Sequence, residues 1–288
     1  MDVYMRIRAA HPILDRIKVI MVLLVLLILL GKLAQYMEQD SSEGNSNGNS
    51  NKNPNRKATI EVLLKTALQP VGSTMYVWGG GWNEMDDAAG MGAVQIGKSP
   101  QWELFAKEQD ETYDFDEHRY ERENGLDCSG YAGWVIYNTF ETESGKEGYV
   151  TVSTDMAENF AHLGWGTYIK NPKEFLPGDI VSMDGHVWIS MGTCADGSVL
   201  LVHSSPPGVS VCGTQIEGKD KSIAVRLAEA YMQTYHPKWQ ELYPNRMVSD
   251  AYLKRVSLMR WNRDTMMDAK EMQNLSGEEI VEMLSDVE

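Results

Sequence analysis

The most pronounced hydrophobic feature of the chain is an uninterrupted apolar run at residues 19–31, flanked by Lys18 and Lys32 and preceded by further basic residues. As a helix this run would rise about 20 Å, short of the roughly 30 Å hydrocarbon core, but flanking apolar residues and snorkelling lysines can extend it. We therefore predict a basic cytoplasmic segment at residues 1–18 and a membrane helix at residues 19–34.

Two locations fit this leader. The positive charges precede the apolar run and acidic residues follow it, so the positive-inside rule places the remainder of the chain outside the cell membrane. A cleaved signal peptide has a similar pattern, although no clear small-x-small site precedes Gln35. The expectation is a single-pass membrane protein with an extracytoplasmic domain, or a secreted protein if the leader is removed.

The pattern changes twice after the leader. Residues 35–57 include a polar stretch rich in Ser, Asn and Gly that cannot bury apolar surface, which predicts a flexible linker. The next residues place Ile60, Leu63, Leu64 and Ala67 on one face of an amphipathic helix. We predict that a folded domain begins at residue 58 and extends to residue 263.

The second half of this domain predicts strands. A Pro-Gly-Asp turn at residues 177–179 leads into one strand, and apolar runs at residues 186–192 and 199–204 flank a turn at residues 195–198. A simple hairpin places His203 opposite about residue 190, so a bulge or strong twist is needed to bring it to His186. Helical patterns precede these strands in the chain. Helices followed by a run of strands indicate an α+β fold with a central antiparallel sheet.

Three further segments complete the domain plan. The first is an acidic insertion at about residues 83–125, expected to form a lid or wall of a groove, and the second is a helical insertion at about residues 223–245. The third is an acidic tail at residues 264–288, in which Ser276 and Glu279 have the spacing of a capping box before an amphipathic helix. This tail is a possible docking segment.

Composition excludes several functions. The formal net charge of -15 argues against nucleic-acid binding, which requires clustered basic residues. Three widely spaced cysteines, Cys128, Cys194 and Cys212, fit neither a disulfide scaffold nor a zinc ribbon, and we expect free thiols. Asp114, Asp116 and His118 lack the glycine and glutamate of a calcium loop. No metal and no cofactor is expected.

Cys128 has the setting of a nucleophile. It follows Asp127, which can cap a helix that begins at the cysteine, and the positive end of a helix dipole favours a thiolate. A lone buried cysteine is more often structural, as is a lone histidine in an apolar strand. The later His186 and His203 change this balance, since a cysteine with separated histidines is the sequence form of a thiol hydrolase.

Five ordered motifs carry a family resemblance. They are YVWGG, LDCSG, LPGDIV, GHVWISMG and LLVHSS, and together they resemble the NlpC-type cell-wall cysteine peptidases, which have a papain-like fold. The resemblance spans about residues 58–212 and extends to a possible final strand near residues 255–261. It implies Cys128 as nucleophile, His186 as general base and acid, and His203 as the residue that orients the imidazole.

The resemblance also implies a substrate. Tyr76, Asp127 and Ser129 match residues that hold the stem peptide in family members that cut next to γ-D-glutamate, which implies a peptidoglycan D,L-endopeptidase. Asp127 could instead serve only as a helix cap. Trp188 stands where the family has a glycine and is expected to reshape the substrate pocket beside His186.

Other functions stay open at this point. The same nucleophile could serve an N-acetylmuramoyl-L-alanine amidase or an acyl or peptidyl transferase. A chain with this fold could also be a non-catalytic wall-binding or assembly protein. The expected partners are stem peptides and the membrane, and possibly a docking partner of the tail or a wall-spanning apparatus.

Overall fold

The computed structural model describes residues 58–140 and 147–285. The predicted basic segment at residues 1–18, the membrane helix at 19–34 and the linker at 35–57 lie outside the described residues. Among the residues that are described, no helix has the length and apolar character needed to cross a membrane.

The described residues form an α+β fold. The helices are α1 (Ile60–Leu68), α2 (Pro100–Lys107), α3 (Cys128–Phe140), α4 (Met156–His162), α5 (Ile223–Tyr235), α6 (Pro237–Leu242) and α7 (Gly277–Ser285). The strands are β1 (Gly166–Lys170), β2 (Ile180–Met183), β3 (His186–Thr193), β4 (Val199–Ser205), β5 (Gly208–Thr214), β6 (Met247–Val248) and β7 (Ser257–Trp261). Short 3-10 turns occupy Asp250–Leu253 and Met272–Asn274.

These strands make one seven-stranded sheet in the order β1-β7-β2-β3-β4-β5-β6. All neighbouring pairs are antiparallel except β5 and β6, which run parallel with Gly213 opposite Met247. The sheet is thus mostly antiparallel, as expected for its centre, and only the edge strand β6 is parallel to its neighbour, because the helical segment between β5 and β6 returns the chain in the same direction.

The β3–β4 hairpin contains the irregularity that its sequence required. Thr193 pairs with Val199 and Gly192 with Leu200, but after a bulge Ser190 pairs with Leu201. Continuing this register places His203 opposite Trp188, one pleat repeat from His186 on the same face of the sheet. The bulge thus brings the two histidines together.

The sheet is buried on both faces, which explains why β3 and β4 read as continuous apolar runs. Alternate residues of β3, such as Val187 and Ile189, enter the main core with the helices. Trp188 enters a second, smaller cluster on the opposite face, beside the 3-10 turn that carries Tyr252. Helix α3 packs on the main-core face and presents its first turn to the start of β3.

The C-terminal segment belongs to the same core. The Ser276 hydroxyl accepts from the Glu279 N–H at 3.3 Å, and Glu279 accepts in return from the Ser276 N–H at 2.8 Å, which confirms the capping box. Ile280 of α7 is fully buried in the main core. The apolar side of this helix is therefore occupied within the chain.

The acidic insertion is also anchored. Helix α2 lies within it and buries Trp102 and Phe105. The Trp102 ring packs edge-on against Trp134 of α3, with ring centroids 5.7 Å apart. This contact fixes the insertion against the helix that begins at Cys128.

Candidate functional site

The site begins at the N-terminus of α3, where Cys128 is the first helical residue. The Asp127 carboxylate caps this end: Oδ1 accepts from the Gly130 N–H at 2.7 Å and from the Ser129 hydroxyl at 2.8 Å. Its Oδ2 accepts from the Gly79 N–H at 3.2 Å. One carboxylate therefore positions both the cysteine helix and the glycine loop beside it.

The glycine triplet at residues 79–81 is explained by close packing. A Cβ added to Gly130 would lie 2.0 Å from the Gly80 carbonyl oxygen, and one added to Gly81 would lie 2.5 Å from the Gly130 Cα. No side chain fits between these backbones. The triplet permits a tight backbone path beside Cys128.

Cys128 lies in the wall of a cavity of about 300 Å³ and is 7% exposed. The glycine loop, the start of α3 and the segment before α4 form this cavity, and the acidic insertion contributes Asp86 and Tyr120. The insertion is therefore a wall of the groove. The residues that line the cavity in addition to Cys128, Asp86 and Tyr120 are Tyr76, Trp78, Gly79, Trp82, Asp127, Ser129, Val152, Ser153 and Gly185.

The two predicted histidines lie against each other, at the start of β3 and near the end of β4, although neither lines the cavity. The His186 Nε2 atom lies 2.9 Å from His203 Nδ1, and the rings meet at 76°. Tyr252 packs against both imidazoles, with centroid distances of 5.5 and 5.8 Å. The residue after His186 is Val187, whose backbone N–H donates to the Cys128 sulfur. The start of β3 thus lies beside the thiol.

The electrostatics of Cys128 differ from the sequence expectation. Burial, followed by the charge of Asp127, raises the pKa of the thiol to about 12. Hydrogen bonds from the Val187 N–H, the Ser129 N–H and the Ser153 hydroxyl oppose this rise without overcoming it. Burial therefore acts against the thiolate that the helix start favours.

The histidines are also held neutral. Burial lowers the pKa of His186 to about 4. The pKa of His203 lies well below its ordinary value because of burial, the neighbouring His186 and the positive charge of Arg246. At neutral pH the Cys128 thiol and both imidazoles are therefore uncharged.

Tyr76, Asp127 and Ser129, which are expected to hold the stem peptide, line the cavity. Asp127 and Ser129 already form hydrogen bonds within the chain. Asp127 carries the cap contacts, and burial raises its pKa to about 6. The Ser129 hydroxyl donates to Asp127 and accepts from the Trp82 indole N–H at 3.0 Å. Tyr76 is buried, and burial together with Cys128 and Asp127 raises its pKa, so that its hydroxyl stays protonated.

Trp188, expected to reshape the substrate pocket, does not line the cavity. Its side chain is fully buried in the second cluster, where it packs against Phe175 with ring centroids 5.5 Å apart. Tyr252 packs against both Trp188 and His186. Alternation along β3 puts His186 and Trp188 on the same face, but the cluster covers the tryptophan.

Four residues of the site were not found from the sequence. Ser153 contacts the sulfur, Trp82 contacts Ser129, Tyr252 contacts both imidazoles, and the buried Arg246 acts on His203. Trp82 had a signal, since it ends the motif with the glycine triplet. The other three lie in segments without a pattern and are brought in only by tertiary packing.

The cysteines and the acidic loop give no second chemical centre in the described part of the chain. All three cysteines are free, as expected. No group of three or more histidine, cysteine, aspartate or glutamate side chains at residues 58–140 and 147–285 could hold a metal ion. Asp116 instead pairs with Arg119, and His118 with Glu121.

Comparison with protein-family models, with curated protein sequences and with solved structures gives no match to this chain. The functional argument therefore depends on the residues and their geometry.

Proposed function

We propose that this chain is a cysteine peptidase of the NlpC type with a papain-like arrangement, which hydrolyses an amide bond in the stem peptides of bacterial cell wall. The observation that carries the proposal is the placement of Cys128 at a helix start in a cavity, beside the strand β3, whose first residue, His186, contacts His203 of β4. Three of the five motifs that resemble the family contain Cys128, His186 and His203.

The histidine geometry supports a division of roles. His203 is held neutral, so its Nδ1 can accept the Nε2–H of His186. This tautomer leaves a lone pair on His186 Nδ1, the nitrogen available to the thiol. His186 is then the general base and acid, and His203 fixes its ring and tautomer.

The neutral resting pair supports a proton transfer coupled to attack. His186 Nδ1 takes the Cys128 proton as the sulfur bonds to the substrate carbonyl carbon. The imidazolium then donates that proton to the departing amine as the C–N bond breaks, which leaves a thioester. Water, deprotonated by His186, attacks the thioester, and the proton returns to the sulfur as the acid product leaves.

Two donors suit the oxyanion. The Cys128 backbone N–H lies in the first turn of α3, where amide groups lack intrahelical partners. The Tyr76 hydroxyl lines the same cavity and stays protonated because its pKa is raised. Both are fixed by the fold before substrate binds, which is the condition for effective transition-state stabilisation.

The bond that is cut is proposed to be the one next to γ-D-glutamate. The cavity presents Tyr76, Asp127 and Ser129, which match the family residues that hold such a peptide. Because the Asp127 carboxylate already accepts three hydrogen bonds, binding of a substrate ammonium would have to use its remaining acceptor capacity.

One observation favours a different class of function. A thiol whose pKa is raised to about 12 is what a non-catalytic wall-binding protein with this fold would also have. The discriminating experiment is digestion of purified muropeptides by the full chain, by Cys128→Ala and by His186→Ala. Cys194→Ser is a matched control, since Cys194 is also buried and free and lies away from the histidine pair, beside Ser198 and Glu278.

The proposal predicts that the control digests normally and that the other two variants do not. Mass spectrometry of the products separates an endopeptidase from an amidase or a transferase by the bond that is lost or formed. Normal digestion by Cys128→Ala would refute the enzymatic proposal.

The cellular location is part of the proposal. A wall substrate requires the catalytic domain to be extracytoplasmic, in agreement with the charge pattern around residues 19–34. Cleavage of the domain by protease added to intact wall-free cells, and its retention in the membrane fraction, would test the tethered location. A domain found only in the medium would indicate a cleaved leader.

A further inference from the structure

Tyr252 joins the histidine pair to the aromatic side chains of the second, smaller cluster. Its ring centroid lies 5.5 Å from that of His186 and 5.8 Å from that of His203, and it meets both rings edge-to-face. The same ring packs against Trp188 at 6.3 Å. One side chain from outside the two histidine strands therefore contacts both imidazoles.

Each histidine strand supplies an anchor for Tyr252. On β3, Trp188 follows His186 by two residues and packs against the phenol ring. On β4, Ser205 follows His203 by two residues, and its side chain forms a hydrogen bond with the Tyr252 hydroxyl. Side chains two residues apart on a strand project from the same face of the sheet. The phenol is therefore attached to both strands on the face that carries the imidazoles.

The 3-10 turn that carries Tyr252 is held by contacts of its own. The Tyr252 N–H donates to the Ser249 carbonyl at 3.2 Å and closes the turn. Leu253 packs against the second cluster, and Val256, which follows the turn, is buried in that cluster. The position of the phenol ring is thus fixed by packing, which is the condition for a residue that orients others.

The imidazoles need such a contact. In the part of the chain that the structure describes, the His186 and His203 rings have no hydrogen-bond partner other than each other. One hydrogen bond does not fix the rotation of both rings, because the outer side-chain torsion of histidine is broad. Tyr252 gives each imidazole a second ring contact and so restricts this rotation.

We propose that Tyr252 is a positioning residue that fixes the orientation of the His186 and His203 imidazoles, and that Trp188 acts through it by supporting its ring. Trp188, which stands where the resembled family has a glycine, thereby influences the site although its side chain lies in the second cluster. The importance of this orientation for turnover rests on the proposed function, but the orientation itself can be measured in the resting protein.

Steady-state kinetics on a muropeptide is the first test. Tyr252→Leu removes the ring and should lower kcat about tenfold with KM within about twofold of the wild type, because a misoriented base slows proton transfer. The substrate contacts should persist, since Tyr252 is not among the residues that line the cavity of Cys128. Tyr252→Phe keeps the ring and should restore kcat to within about threefold of the wild type.

A second readout follows the rings without turnover. In the full chain with ring-labelled histidine, heteronuclear NMR at neutral pH shows which nitrogen of His186 carries the proton, after assignment with His186→Asn. The wild type and Tyr252→Phe should show one tautomer, with the proton on Nε2. Tyr252→Leu should show the two nitrogens with shifts averaged between the tautomers, and Trp188→Leu should show a smaller change in the same direction.

Phe175→Leu is the matched control. It removes a ring from the same cluster that packs against Trp188 and has no ring contact with either histidine among the described residues. It should keep the wild-type tautomer and kcat. Urea unfolding shows whether each variant is folded, and Tyr252→Met replaces Tyr252→Leu if the latter does not fold. A folded ring-deleted variant with the wild-type tautomer, or the same averaging in Phe175→Leu, would overturn the proposal.

Failure of the two proposals can be told apart. If the folded wild-type chain does not digest muropeptides but Tyr252→Leu changes the His186 tautomer, the proposed function fails and the positioning role stands. If the wild-type chain digests muropeptides while Tyr252→Leu keeps the wild-type tautomer and kcat, the positioning role fails alone.

Discussion

His186 Nε2 lies 2.9 Å from His203 Nδ1, on adjacent strands that a bulge brings into register. The pair is neutral, since burial lowers the pKa of both rings. A buried neutral acceptor behind a neutral base determines which nitrogen of the base remains basic. This contact is the basis of the roles proposed for the two histidines.

His203→Ala should lower kcat about tenfold to hundredfold with little change in KM, because the base loses its orienting partner while the substrate contacts remain. His203→Asn should retain more activity than the alanine variant, since its amide oxygen can still accept the His186 proton. Steady-state kinetics on a muropeptide would measure both. Equal kcat for His203→Ala and the wild type would remove the orienting role.

Protein stability should fall with acid in the range set by His186. Its folded pKa is about 4, below the ordinary value of 6.5, so the unfolded chain binds more protons between these values. His186 therefore contributes fully to the free energy of unfolding above pH 6.5, and this contribution is lost as the pH falls towards 4. Urea unfolding at pH 7.5, 6 and 5 should show this loss, and His186→Asn should show less of it.

Two carboxyl groups act in the opposite sense. The pKa values of Asp127 and Asp179 are raised by burial to about 6, so the folded chain takes up their protons first and gains relative stability as pH falls from 6 towards 4. Both carboxyl groups are present in the wild type and in His186→Asn. The difference between these two proteins in the pH dependence of the free energy of unfolding therefore reports on His186. His162 is exposed, so His162→Asn should keep the pH dependence of unfolding seen in the wild type. If His186→Asn also kept it, the prediction would be contradicted.

Cys128 should be alkylated slowly at neutral pH. With the thiol pKa at about 12, iodoacetamide should modify it more slowly than it modifies glutathione at pH 7.5, and the rate should still rise at pH 10. The measurement needs a Cys194→Ser, Cys212→Ser background, in which Cys128 is the remaining cysteine. A rate that reaches a plateau below pH 8 would instead indicate a resting thiolate and imidazolium pair.

Gly130→Ala should destabilise the fold by about 2 kcal/mol or more, since its methyl group would overlap the Gly80 carbonyl and force the helix and loop apart. Gly92→Ala is a suitable control, because its new methyl group meets its nearest neighbours at 3.8 Å. Chemical unfolding would compare the two. Unchanged stability in Gly130→Ala would show that the close approach is not needed.

Much of the fold follows from local sequence patterns. The amphipathic face of α1, the capping box of α7 and the apolar runs of β3 and β4 are local features, and each is found in the structure. The need for a bulge also followed from the sequence, since the turn at residues 195–198 set the register. In contrast, β1 and the parallel β6 are short and partly exposed, so their pairing is decided by tertiary contacts.

The sequence predicted the identity of the main site residues better than their pKa values and burial. Chain order indicated Cys128, His186 and His203, but the raised pKa of the thiol depends on burial that the sequence pattern does not express. For Trp188, the sequence indicated a position near His186 but not the cluster that buries the side chain. Tyr252 and Arg246 come from a distant segment and contact the site only because the sheet places that segment beside β4 and β5.

The most direct test of the account is digestion of purified muropeptides by the full chain and by Cys128→Ala, with Cys194→Ser as the control. The account predicts that the wild type and the control release peptide fragments cut next to γ-D-glutamate, while Cys128→Ala remains folded and releases none. Equal release by Cys128→Ala and the wild type, or no release by a folded wild-type chain, would contradict it.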